Sequence, residues 1–324
     1  MNLYPLKFDP IFKYRMWGGN KLKTILNKKV AESNIGESWE ISAIEGDETV
    51  VLNGFLKGKT LPELIDSYQE KLLGDAVYDQ FGKEFPLLIK FIDTAKPLSI
   101  QVHPNDEYAK EHHNSFGKNE MWYIIQAEDE AEIIVGFNKK MERADFKNAI
   151  DESNVLAFLN IENTRSGDAF HIPTGRIHGI GSGILLAEIQ QTSDVTYRVY
   201  DYDRIDAKTG EKRTLHLEQS LDVLDYTLHD AYKVNYSSDV NCTNKMVETP
   251  YFKTGIIPLR SAIEKDYSST DSFVILICVD GKATLTYNEE VFKLNTGETI
   301  LVPAAINRVR LSTNTKADIL EVSV

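Results

Sequence analysis

The chain has 324 residues, with 36 Lys+Arg against 49 Asp+Glu, a formal net charge of −13. At 42% hydrophobic and 10% aromatic residues the composition is globular, neither disordered nor collagenous. The acidic surplus argues against binding to nucleic acid or anionic membrane, and two lone cysteines, Cys242 and Cys278, exclude a disulfide scaffold and a Cys-built zinc ribbon.

Any metal must therefore rest on nitrogen and oxygen ligands, and seven histidines supply the candidates. The start, Met1 to Lys13, has no uninterrupted apolar run of the kind a secretory signal needs. Phe273–Val279, among the longest purely apolar stretches, is far short of the roughly 20 residues that span a bilayer. The expectation is a soluble cytoplasmic protein. Its length exceeds what one core usually supports, which predicts two packed units.

In chain order, Leu61–Leu73 reads as an amphipathic helix with Thr60 as N-cap and Gly74 as stop. Strands are predicted at Phe85–Ile92, Met121–Ala127 and Glu132–Phe137, from their β-branched, aliphatic and aromatic content. A helix over Arg143–Leu159 precedes strands at Ile184–Gln190 and Thr196–Tyr200, and a third helix follows at His216–Leu224. The last third predicts strands at Ser272–Cys278, Ala283–Tyr287 and Thr299–Val302. No βαβ alternation and no glycine fingerprint occur, so the plan is all-β with helices added at the edges.

One internal similarity points to duplication. Gly167-Asp-Ala-Phe-His-Ile-Pro173 matches Gly297-Glu-Thr-Ile-Leu-Val-Pro303 at an offset of 130 residues. Before each match lies a strand that closes in a glycine turn, Ile133–Gly136 and Val274–Gly281. The polar stretch Tyr236–Thr249 is where the two units divide, giving 1–234 and 235–324. His178 in the first copy corresponds to Arg308 in the second, and no histidine occurs after His229. If the first unit holds a metal, the second does not.

Three segments carry the chemistry. In Leu98–Asp106, Gln101 and His103 alternate with Ile100 and Val102, so on a strand they leave the same face. Fifteen residues after His103, Lys118-Asn119-Glu120 opens another apolar strand. In the third, Gly167, Pro173 and Gly175 lead up to His178 and could aim it into a barrel. Two imidazoles, a carboxylate and an amide oxygen suit zinc or a similar divalent metal and leave positions open for substrate.

The Gly-x5-Pro-x-Gly-x2-His pattern resembles the second signature of the cupin superfamily. Gln-x-His followed by a Glu resembles the variant first signature of type I mannose-6-phosphate isomerases. WGGNKL (Trp17–Leu22), GESWEIS (Gly36–Ser42), GKNEMWYII (Gly117–Ile125) and the long run Ile177–Arg204 extend the resemblance over nearly the whole chain, in the short bacterial form. It implies two cupin-type jelly-roll β-barrels, the first metal-binding and the second degenerate. It implies one Zn2+ per chain, held by Gln101, His103, Glu120 and His178. It further implies Arg198 as the active-site arginine, Lys118, Glu188 and Asp194 as polar groups near the metal, and Ser99 and Trp17 as pocket walls. The Lys-Pro-Glu familiar in such proteins here reads Lys118-Asn119-Glu120, which keeps the ligand.

The implied reaction interconverts mannose 6-phosphate and fructose 6-phosphate through a cis-enediol(ate). Such a transition state gathers negative charge on two neighbouring oxygens, which a dication and a guanidinium can stabilise. The base that moves the carbon-bound proton is open between Glu188 and Lys118, with Asp194 as an orienting partner. The alternative is a cupin that binds sugar or sugar phosphate without turnover. No nucleic-acid or membrane partner is expected, and the oligomeric state is left open.

Overall fold

Runs of aliphatic and β-branched residues form the central strands of three main sheets. The computed structural model describes residues 2–324. A six-stranded sheet runs Ala169–Ile172, Glu120–Ala127, Ile184–Gln191, Leu87–Thr94, Ile11–Gly19, Ile35–Ile41. A five-stranded sheet runs Leu159–Asn163, Glu132–Phe137, His178–Ile180, Ile100–Val102, Tyr197–Tyr200. The third, eight-stranded, is built entirely from strands between Asn244 and Ser323. The mostly β plan with peripheral helices is as the sequence predicts, and among the described residues no helix is long and apolar enough to cross a membrane.

Strand alternation separates the two faces of the six-stranded sheet. Met121, Ala187, Ile189, Ile89 and Phe91 point to a core cluster that also takes in Leu6, Phe252, Phe273, Ile275 and Leu301. That cluster joins the two halves of the chain in one apolar interior. On the other face, register places Trp122 opposite Glu188, Glu188 opposite Lys90, and Lys90 opposite Trp39. This polar row crosses four strands and faces the pocket described below. In the C-terminal sheet the corresponding interior is filled by Leu276, Cys278, Leu285, Leu294, Ile300 and Ile319, all fully buried, and holds no comparable row.

Local outcomes follow local chemistry. Thr60 and Glu63 form a reciprocal capping box at the predicted helix start, and Gly74 sits beyond its end with φ +96°. The helix is broken, however, into Leu61–Tyr68 and Glu70–Leu73, because Gln69 takes φ +47°. The predicted Arg143–Leu159 helix stops at Asp151, Ser153 adopts φ +56°, and a short 3-10 turn continues at Val155–Phe158. The Ser153 and Asn154 amides close on the Ile150 and Ala149 carbonyls at 3.0 and 2.8 Å, a backbone stop with Ser153 in the left-handed position.

The strands predicted at Ser272–Cys278 and Ala283–Tyr287 are one strand, Val274–Tyr287, with a register irregularity between Cys278 and Asp280. The glycines of the internal match share a conformation: Gly167 and Gly297 have φ +90° and +81°, and Gly136 and Gly281 have +69° and +80°. Strands Ile11–Gly19 and Ile35–Ile41 escaped the sequence pattern because Lys13, Arg15, Glu37 and Glu40 interrupt their apolar runs. All seven residues of Ile35–Ile41 are nonetheless buried.

Candidate active site

Two opposed sheets supply the site. On the five-stranded sheet Gln101 pairs directly with His178 on one side and with Arg198 on the other. On the six-stranded sheet Glu120 and Trp122 lie two residues apart on the same face. Gly175, with φ +83°, turns the chain before His178 where a Cβ would lie 2.9 Å from the Val223 carbonyl oxygen. The closing of one sheet over the other brings His103, Glu120 and His178 together, their ligand atoms all within 4.8 Å of one another and all three buried.

The imidazoles are prepared for a cation. His103 Nδ1 donates to the Val195 carbonyl at 3.0 Å, and His178 Nδ1 donates to the Arg176 carbonyl at 2.8 Å. Each neutral ring therefore turns an Nε2 lone pair toward Glu120, whose oxygens lie 3.2 Å from His103 Nε2 and 3.8 Å from His178 Nε2. Burial, aided by the Lys118 ammonium, holds His103 neutral down to about pH 3, and burial lowers His178 in the same sense. Lys118 Nζ approaches Glu120 at 2.6 Å, off the hydrogen-bonding direction, so this is an ion pair and both buried Glu120 oxygens lack a directed donor. Two Nε2 lone pairs and a carboxylate with no directed donor, facing one another in a buried site, are what a divalent metal would satisfy. The residues fit the group.

Gln101 joins the same ring edge, with its amide nitrogen 3.3 Å from His178 Nε2 and its Oε1 accepting from the Ser99 hydroxyl at 3.4 Å. A half-turn of the amide exchanges nitrogen for oxygen at that position. Lys118 Nζ also stands 3.1 Å from His103 Nε2. Burial lowers its basicity, yet the Glu120 and Glu188 carboxylates outweigh this and raise it above the ordinary lysine value. Glu188 accepts from Trp122 Nε1 at 2.8 Å and pairs with Lys90 at 3.2 Å, while burial and the Glu120 charge raise its carboxyl above the usual range.

A pocket of about 400 Å³ opens onto this cluster. Gln101, Lys118, Glu188, Arg198, Ser99 and Trp17 line it, and exposed Asp194 stands in its wall. A wider cleft of about 1070 Å³ lies across the Gln191–Val195 segment and also touches Asp194, but neither Gln101 nor any of His103, Glu120 and His178 lines it. Arg198 makes no ion pair with Asp194, Asp201 or Asp203: Asp201 is taken by Arg204 and Arg213, and Asp203 by Lys212. Its NH1 donates to the Thr214 carbonyl at 2.7 Å, and its Nε is buried without a partner.

Sequence reasoning missed Arg15, Glu37, Lys90 and Arg213, which line the same pocket. Arg15 holds Glu37 through two nitrogens at 2.8 and 3.0 Å, and Trp39 Nε1 donates to Glu37 at 2.7 Å. The signal was present for Lys90, a lone cation inside the apolar run Phe85–Ile92, and for Glu37 within the GESWEIS segment.

Residues 6–145 match the family model for the type I phosphomannose isomerase catalytic domain, and residues 243–319 match that for the mannose-6-phosphate isomerase cupin domain. Mannose-6-phosphate isomerase ManA of Bacillus subtilis is 35% identical over 314 residues, 96% of each chain. The chain belongs to the type I mannose-6-phosphate isomerase family. It is thus an enzyme, an isomerase, and not a sugar-binding module without turnover. The mannose-6-phosphate isomerase of Streptococcus mutans is 35% identical over 303 residues, 93% of each chain. The crystal structure of a Bacillus subtilis mannose 6-phosphate isomerase superposes with a TM-score of 0.90 at 30% identity, covering 99% of this chain and 100% of that one.

Proposed function

We propose that the chain interconverts mannose 6-phosphate and fructose 6-phosphate with one Zn2+ held by Gln101, His103, Glu120 and His178. The observation that carries this is the buried His103–Glu120–His178 cluster, with both Nε2 lone pairs and the carboxylate converging on one point. Bound there, the metal would supply Lewis acidity to the two neighbouring oxygens of the reacting carbons. A division of the chain at 234/235, with the catalytic half first, accords with the segment between Tyr232 and Asn244, which contains no helix or extended strand.

The remaining roles belong to this chain's own groups. Arg198 presents an unpartnered Nε to the pocket side of its strand and donates to the oxygen that gains charge as the cis-enediol(ate) forms. Glu188 moves the proton between carbon 2 and carbon 1. Its raised pKa brings it nearer working pH, and the Trp122 and Lys90 contacts fix the carboxylate while leaving lone pairs free. Lys118, kept protonated beside Glu120 and Glu188, acts as a fixed positive charge near the substrate oxygens. Asp194, at the exposed wall, orients hydroxyls from the solvent side, while Ser99 and Trp17 shape the floor.

The test is metal analysis of the purified protein followed by conversion of mannose 6-phosphate to fructose 6-phosphate with and without chelator. About one zinc per chain and loss of turnover on chelation are expected. A fully metal-loaded protein without turnover would defeat the proposal.

A further inference from the structure

Resting on that reading, we propose that Arg213 is the residue that recognises the substrate's phosphate group. Strand Tyr197–Tyr200 pairs antiparallel with Ile100–Val102, with Arg198 opposite Gln101 and Tyr200 opposite Ile100. Continuing from Arg198 to Asp201 therefore leads away from His103, by about 10 Å at ~3.3 Å per residue. That is the span of an open-chain hexose phosphate. Asp201 stands at this far end and accepts from Arg213 Nε at 2.8 Å and from its NH2, which aims the guanidinium.

The other cations lining the pocket are already engaged. Lys118 pairs with Glu120, Lys90 with Glu188, and Arg15 with Glu37. Among the described residues, Arg213 NH1 makes no hydrogen bond, and Arg198 Nε has no partner. Arg204 and Arg213 both pair with the single carboxylate Asp201, and Arg198 stands near them with no carboxylate of its own, so the three guanidiniums exceed Asp201 by two positive charges. A phosphate monoester carries about −1.5 to −2 at neutral pH and matches that surplus. Asp206 also lines the pocket, but its Oδ1 is occupied by the Tyr14 hydroxyl at 3.3 Å and the Lys208 amide at 2.8 Å.

Arg213 is a return-arm residue of a small hairpin that is closed by the Ile205–Lys212 bridge and rests on Tyr14 through Lys208, 3.7 Å from the ring centroid. Next to it, the Thr214 carbonyl holds Arg198. Phosphate recognition and the placement of Arg198 therefore share one strand of chain.

Two variants, R213Q and R213K, test this in the zinc-loaded enzyme. R213Q should raise KM for mannose 6-phosphate and the inhibition constant of inorganic phosphate by about 10- to 100-fold each, with kcat within about threefold and metal content unchanged. R213K keeps a charge beside Asp201 but loses the fork, so both constants should rise by an intermediate factor, and it carries the test should R213Q fail to fold. Unchanged constants in either folded variant would overturn the proposal. So would a fall in kcat with the phosphate inhibition constant unmoved, which would make Arg213 a mere support for the hairpin. Wild-type protein without turnover would instead defeat the proposed function, and calorimetric titration with inorganic phosphate would still read Arg213.

Discussion

His103 and His178 are each tied by Nδ1 to a backbone carbonyl, so neither ring can turn its other nitrogen inward without losing a buried bond. His178→Ala should abolish both metal content and turnover, as read by metal analysis and the isomerase assay. Arg198→Ala should keep the metal while kcat falls by about 10²–10³-fold, the cost typical of removing one donor from a developing oxyanion. Normal turnover in that variant would remove Arg198 from the mechanism. The candidate cluster was legible because Gln101 and His103 alternate along one segment and the glycine-proline spacing leads to His178. The second set of charges was not. Arg15 pairs with Glu37 and Lys90 with Glu188 across neighbouring strands that are separate in sequence, and a buried charge is recognisable only once its partner is known.

Between elements, close approach decides more than propensity. A Cβ on Gly36 would lie 2.5 Å from Trp17 Cζ3 and 2.7 Å from Arg15 Cβ, so the WGGNKL and GESWEIS segments pack as a single unit. Gly36→Ala should cost about 1–3 kcal/mol and raise KM by displacing the Trp17 and Arg15 walls of the pocket. A thermal melt beside a Michaelis curve checks this, and an unchanged melting temperature would show that the strands can part freely. Helix starts were readable because capping is local, as at Thr60 and Glu63. Helix ends were not, because the positive-φ positions that interrupt them are held by Gln69 and Ser153, not by the glycine that would signal a stop. The merging of two predicted strands into Val274–Tyr287 likewise depends on its pairing with four different strands at once.

Buried titratable groups govern how the whole molecule responds to acid. His103 stays neutral in the folded chain to about pH 3, whereas an unfolded histidine takes up its proton near 6.5. Its contribution is therefore present above about pH 6.5 and lost as pH falls toward 3. Glu37 behaves in the same direction. Burial opposes its charge, but Arg15 and Lys90 hold its carboxyl at about 2 against an ordinary 4.5, so stability is lost as pH falls from about 4.5 toward 2. Urea unfolding of the metal-free protein should show stability falling as pH drops below 6.5, by about 1.4 kcal/mol per pH unit for each histidine held neutral, His103 and His178 among them, with the lowered carboxylates adding to the fall below 4.5. In Glu37→Gln the fall below 4.5 should be shallower than in the parent protein. A urea midpoint constant between pH 6.5 and 4.5 would contradict the buried neutral state of His103.

At this scale the core cluster that includes Leu6, Phe91, Phe252 and Leu301 makes the two halves one apolar interior, so the polar Tyr236–Thr249 stretch marks a change of sheet more than a break in packing. Composition and strand periodicity indicated the β-rich class, and the resemblance of segments such as GESWEIS and Ile177–Arg204 indicated the isomerase family and pointed to His103, Glu120 and His178, because these signals lie in composition, local pattern and short motifs. Only the tertiary structure decided which carboxylate each cation takes, and that Arg198 and Arg213 keep nitrogens free toward the pocket. Those outcomes depend on how two sheets close over each other, and the energy of a buried charge is set by neighbours that strand register, not chain order, brings within reach.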